Sequence, residues 1–117
     1  MEGTITKISY NEEDDVISIY KEGKVKGNIM IGGFVFDISY KGEIIGIEVL
    51  NATKNLEMFG ITKDMLKNVK TARLIIKRQP EGVIFVGFEI LSFIKNESIL
   101  KEPHQAVVAI PEIVNKL

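Results

Sequence analysis

Apolar and polar positions alternate with a period of two over much of this chain, and the alternating segments come in pairs separated by short polar turns. Residues 34–40 show it most clearly, since Phe34, Phe36, Ile38 and Tyr40 fall on one face of an extended chain and predict that this face is core. Lys41-Gly42 then supplies a residue that tolerates the positive φ of a tight turn, and residues 43–50 return as a β-rich partner. An earlier hairpin is predicted where residues 4–10 and Val16–Tyr20, both β-branched and aromatic, flank the polar stretch Asn11-Glu12-Glu13-Asp14-Asp15. A third is predicted where residues 71–77 and 83–95 flank Pro80-Glu81-Gly82, in which proline presets the turn and glycine relieves it. Residues 21–27 read as a Gly/Lys-rich link. Gly32-Gly33, which opens no helix, reads as a kink in a strand and not as a phosphate cradle.

Helical spacing is confined to the middle of the chain. Residues 52–59 predict a short helix before Gly60, and Thr62 is placed to cap a second helix running to about Val69, with Ile61 and Leu66 as its hydrophobic staple. Residues 105–110 predict a last short strand, and Pro111 fits the first position of a terminal helical turn. The expectation is an α+β fold, mainly antiparallel β-hairpins in a sheet or partly open barrel, with one or two short helices, forming a single domain over residues 1–117.

Residues 83–94 are apolar on both faces, which predicts a strand either central in its sheet or at a subunit interface. Phe85, Phe88 and Phe93 on that strand are therefore candidate contacts of a homodimer. An internal echo is also visible. Gly46-Ile47-Glu48-Val49-Leu50 with Lys54 recurs as Gly87-Phe88-Glu89-Ile90-Leu91 with Lys95, each copy on the returning strand of a hairpin, as a duplicated unit would be.

Composition narrows the function classes. The 117 residues include no cysteine, which excludes disulfides, thiolate metal sites and cysteine nucleophiles together and fits a cytoplasmic protein. Met1-Glu2-Gly3-Thr4-Ile5 lacks a basic stretch followed by an apolar run, so no signal peptide is expected. The most apolar segment is too short to span a bilayer, which takes ~20 apolar residues, and it carries Glu89. Net charge is −1 with both signs interspersed, so no long-range field draws nucleic acid to the molecule. Lys63, Lys67, Lys70, Arg73, Lys77 and Arg78 form the most basic stretch, but no nucleic-acid-binding signature accompanies them and a solvated face is expected.

The candidate chemistry is carboxylate chemistry. Glu48 and Glu89, in the two copies of the echo, would each lie among apolar neighbours, where a lone ionised carboxylate costs several kcal/mol and must be paired, protonated or exposed. As a shared pair they would serve a small metal-assisted hydrolase; as structural groups they would each find a lysine or arginine. Asp15 and Asp37 complete the candidate polar set. The run Glu12 to Asp15 lacks the central glycine and distal glutamate of a calcium loop, so a solvated turn is expected, with Asp15 bonding turn amides. His104, the single histidine, has no identifiable partner for a metal or a triad. No cofactor, catalytic residue or metal site is assigned, and the reading from the residues is a non-enzymatic binding or assembly module.

One stretch matches a known pattern. Tyr10-Asn11, Asp15, Val16-Ile17-Ser18-Ile19, then Asp37 and Gly42-Glu43-Ile44-Ile45-Gly46-Ile47-Glu48-Val49-Leu50-Asn51-Ala52-Thr53 follow one another in order. Over residues 8–57 this resembles domain of unknown function 2283, whose members show a tyrosine and acidic turn, an alternating strand, and a hairpin ending in Gly-Ile-Glu-Ile/Val-Leu-Asp-Ala-Ser. Asn11 and Asn51 stand where the family carries acids, which bears on any carboxylate chemistry at those two positions but not on the hairpin. The resemblance implies no established activity; some relatives look like the small partner of a toxin, which implies an antitoxin-like role with a protein partner.

Overall fold

The computed structural model describes residues 6–80 and 82–92 and the backbone of 104–111. Five strands come first: β1 (Lys7–Asn11), β2 (Val16–Tyr20), β3 (Val25–Ile31), β4 (Phe34–Ser39) and β5 (Ile44–Val49). Helix α1 (Ala52–Asn55), a 3-10 turn (Glu57–Phe59) and helix α2 (Lys63–Lys67) lead to β6 (Val69–Arg78), β7 (Val83–Ser92) and β8 (His104–Pro111). Among the described residues the strands form two open sheets, ordered β1-β2-β5-β4-β3 and β6-β7-β8, and all pairings are antiparallel. The fold is thus α+β and mostly antiparallel hairpins, with two sheets in place of a barrel.

All three predicted hairpins form, and a fourth lies where a link was expected. Val25, Ile29 and Ile31 belong to β3, which pairs with β4 from Val25↔Ser39 to Ile31↔Phe34. Lysines and glycines obscure the alternation in its first half, and a β-bulge between Val25 and Gly27 breaks its phase. Gly32-Gly33 is therefore the turn of a two-residue hairpin and not a strand kink. Gly32 takes φ 59°, the left-handed region that glycine enters without steric cost. The helix expected over residues 52–59 stops at Leu56, where the chain tightens into the 3-10 turn. Thr62 does cap α2, its Oγ1 accepting from the Met65 amide at 3.2 Å, and Ile61 and Leu66 are buried together. Tyr40 leaves the face it was assigned to, because it sits in the turn beyond β4 and is exposed. The expected terminal helical turn beyond Pro111 lies outside the described residues.

The hydrogen-bond register aligns an apolar row across all five strands: Ile8, Ile19, Ile47, Phe36 and Ile29. The next inward row holds Tyr10, Ile17, Val49, Phe34 and Ile31. Leu74, Ile84, Val86, Phe88 and Ile90 of the second sheet join the same cluster, and Ala52, Leu56, Ile61 and Leu66 pack into it from the helical segment. The two copies of the echo occupy comparable places. β5 and β7 are each flanked by a strand on both sides, with Ile47 and Val49, or Phe88 and Ile90, directed into the cluster.

Removing side chain from this cluster leaves a cavity that hydrogen-bonded strands on both sides prevent from collapsing. Ile47→Ala is expected to cost about 2–5 kcal/mol and Phe88→Ala about 3–5 kcal/mol, both read as a lowered midpoint in urea denaturation with the slope unchanged.

Candidate functional site

The residues between the inward rows turn to the other face of the five-stranded sheet. Across it the register gives Lys7, Tyr20, Gly46, Asp37 and Asn28 as one row and Ser9, Ser18, Glu48, Val35 and Met30 as the next. Asp37 and Glu48 are therefore diagonal neighbours on adjacent strands. Neither carboxylate receives a hydrogen bond or ion pair from a described residue. Withdrawal from water pushes the Asp37 carboxyl above its ordinary value. Gly46 lies between Asp37 and Tyr20. A Cβ there would stand 2.9 Å from Asp37 Oδ2 and 3.2 Å from Tyr20 Cβ, so the absent side chain is what gives the carboxylate its position. An open cleft of about 240 Å³ is lined here by Ser18, Tyr20, Lys21, Val25, Asp37 and Glu48, among others.

Asp15 has a different role. It takes φ 57° at the end of the first turn, and its carboxylate accepts from Tyr10 OH at 2.7 Å, Thr53 Oγ1 at 2.7 Å and the Thr53 amide at 3.2 Å. Its backbone carbonyl accepts from the Ala52 amide at 2.9 Å. Asn51, in the capping position of α1, makes no side-chain cap, so Asp15 caps that helix from 38 residues away. Burial pushes the Asp15 carboxyl up, but the bonds from Thr53 and Tyr10, with the Lys63 charge, outweigh it and hold the carboxyl below its ordinary value. Burial, then the bond to Asp15 and its charge, push Tyr10 to about 12. The two departures from the family pattern fit this clasp. Asn11 Oδ1 accepts from the Asp14 amide at 3.0 Å, as an aspartate would, and Asn51 adopts φ 48°, a conformation asparagine tolerates better than most residues.

Glu89 takes the partner expected of a structural carboxylate: Arg73 Nη2 donates to its Oε1 at 2.6 Å, across the β6–β7 register. Glu48 and Glu89 do not meet. Their strand neighbours point into one shared cluster, so alternation turns the two glutamates away from it on different sheets, and the paired-carboxylate site of a hydrolase does not form. The described residues bring no three histidine, aspartate or glutamate side chains together as metal donors. Phe88 is fully buried in the chain's own core and is corrected from an interface contact to a core residue. Phe85 lies on the opposite face, 37% exposed, and Phe93 is outside the described residues. No described helix is long and apolar enough to cross a membrane. Tyr20, Ser18 and Gly46 enter the site only through strand register; Tyr10 and Thr53 join Asp15 only through the approach of α1 to the first turn.

The arrangement defines a two-sheet α+β protein whose first sheet carries both the carboxylate cleft and the Asp15 clasp. Residues 7–52, which span that sheet and the start of α1, match the family described as "Protein of unknown function (DUF2283)". An uncharacterized protein of Methanocaldococcus jannaschii is 32% identical over 98 residues, covering 82% of this chain and 81% of that protein. A Methanosarcina mazei protein named "Putative hypoxanthine phosphoribosyltransferase" is 30% identical over 83 residues, covering 70% of this chain and 65% of that protein. This chain belongs to the DUF2283 family. No solved structure matches it.

Two pH limbs follow from the clasp. The folded Asp15 value lies below the unfolded one, so its stabilisation is complete above the ordinary carboxylate value and is lost as pH falls through the lowered value. The folded Tyr10 value is raised, so its stabilisation is complete below pH 10 and is lost as pH rises towards about 12. Asp15→Asn, which keeps a residue tolerant of the left-handed backbone, is expected to cost about 1–3 kcal/mol at neutral pH and to flatten the acid limb. Tyr10→Phe should remove the alkaline limb. Urea denaturation across the pH range reads both.

Proposed function

We propose that this protein is a non-enzymatic assembly module that forms a homodimer by pairing β3 with β3 of a second copy. The observation that supports this reading is where apolar surface remains exposed. Val25, Met30 and Ile31 are 48%, 63% and 38% exposed on β3, with Tyr20 on β2 of the same sheet, while Tyr40 in the turn after β4, Met58 and Phe85 are the other exposed large apolar side chains among the described residues. β3 is also an edge strand, with one row of backbone groups unpaired by β4.

A second copy suits this edge for a reason of register. Residues 27–31 carry no charge, and antiparallel self-pairing centred on Ile29 sets Met30 against Asn28 of the second copy. It also brings the two Ile29 side chains together, so the apolar row from Ile8 to Ile29 continues without interruption into the second sheet. Sheet extension of this kind draws affinity from main-chain hydrogen bonds and specificity from alternate side chains. The phosphoribosyltransferase name of the M. mazei relative is not extended to this chain. The described strands are all antiparallel and the helices have four and five residues, without the strand-to-helix turn that cradles a phosphate.

Sedimentation equilibrium on the full chain at increasing concentration is expected to show a dimer, and Met30→Lys with Ile31→Lys to shift it to monomer with an unchanged circular dichroism spectrum. A wild-type chain that stays monomeric at the highest concentration would overturn the proposal.

A further inference from the structure

We propose that the cleft over Gly46 on the outer face of the five-stranded sheet binds an organic cation, an ammonium or guanidinium group held between the Asp37 and Glu48 carboxylates and the ring of Tyr20. This site goes beyond the assembly proposed for β3 and does not depend on it.

The lining dictates the chemistry. Two carboxylates on diagonal positions are acceptors only, and no described residue donates to either. Lys21 lines the same cleft but makes an ion pair with neither; its backbone amide is bonded to the Ile45 carbonyl at 2.9 Å. Glu13, Glu43, Glu57 and Asp64 also lack a side-chain partner among the described residues but are exposed to water, whereas the other partly buried carboxylates are paired, Asp15 with Tyr10 and Thr53 and Glu89 with Arg73. A partly buried carboxylate without a partner costs folding free energy, and such groups concentrate at binding sites. Burial raises the Asp37 value, the direction such a cost takes.

Shape supports the same occupant. Gly46 keeps the space beside Asp37 Oδ2 free of side chain, so a ligand group can approach along the strand. Tyr20, 40% exposed across Gly46 from Asp37, offers a ring on which a cation gains further attraction. A volume of about 240 Å³ suits a small amine or one basic side chain, since sites for drug-sized molecules occupy about 300–1,000 Å³. Two carboxylates alone are too few donors for a tightly held calcium ion, which takes about six to eight oxygen ligands.

The test is an NMR titration of the uniformly 15N-labelled full chain with agmatine, with a blocked Gly-Arg-Gly peptide and with succinate as an anionic control. Saturable shifts centred on the amides of Tyr20, Asp37, Gly46 and Glu48 are expected with a guanidinium probe. Shifts with both probes support a free amine as ligand, and shifts with the peptide alone support a partner's basic side chain. Asp37→Asn and Glu48→Gln, tested separately, are each expected to weaken binding about tenfold or more, while Asp37→Asn raises the melting temperature. No saturable shift with either guanidinium probe, equal shifts with succinate, or shifts unchanged in both variants would overturn the proposal.

Discussion

The row Ile8, Ile19, Ile47, Phe36 and Ile29 is the constraint on which the rest of the five-stranded sheet depends. Side chains on a strand alternate strictly, so committing this row to the core commits the row beside it to the opposite face. Gly46, Asp37 and Tyr20 are placed on the outer face for that reason, not through any attraction between them. A slip of one residue between β4 and β5 would bury Asp37 and expose Phe36 together. The register that keeps the core dry therefore also holds in the cleft a carboxylate that no described residue partners.

The family signature divides between two jobs under this constraint. Tyr10, the turn residue Asp15 and Ala52-Thr53, the last standing where the family pattern has Ala-Ser, form the clasp that ties the first turn to the start of α1. The signature's Gly-Ile-Glu segment instead builds the central strand, with Ile47 inward and Gly46 and Glu48 outward. The match to the family ends at Ala52, one residue before Thr53, whose amide and hydroxyl bond the Asp15 carboxylate. Within it, Asn11 and Asn51 replace acids without loss because a turn amide and a left-handed backbone are served as well by asparagine.

The second sheet uses the echoed segment in a related way but finishes its chemistry. Phe88 and Ile90 face inward as Ile47 and Val49 do, while Glu89 on the other face is paired with Arg73 from the adjacent strand. Glu48 faces Val35 and Ser18 across its two neighbours, and neither can neutralise it. The same short motif thus yields a structural ion pair in one sheet and an open acceptor in the other, and what differs is the residue each neighbouring strand presents.

Much of the fold was legible in the residue pattern, because alternation, turn glycines and the Thr62 cap are local signals: three hairpins, the capped helix and the inward face of β4 follow from them, whereas β7, apolar on both faces, gave no sign of which face is core. β3 was not legible, since lysines, glycines and a bulge mask its period. Nor could local signals distinguish Glu48 from Glu89, or show that Asp15 caps a helix 38 residues distant. The sequence by itself determined which side chains share a strand face, because that depends only on the geometry of one extended chain. Only the tertiary structure decided which strands lie side by side, and so which carboxylates gained a partner, because pairing across a sheet depends on register between segments far apart in the chain.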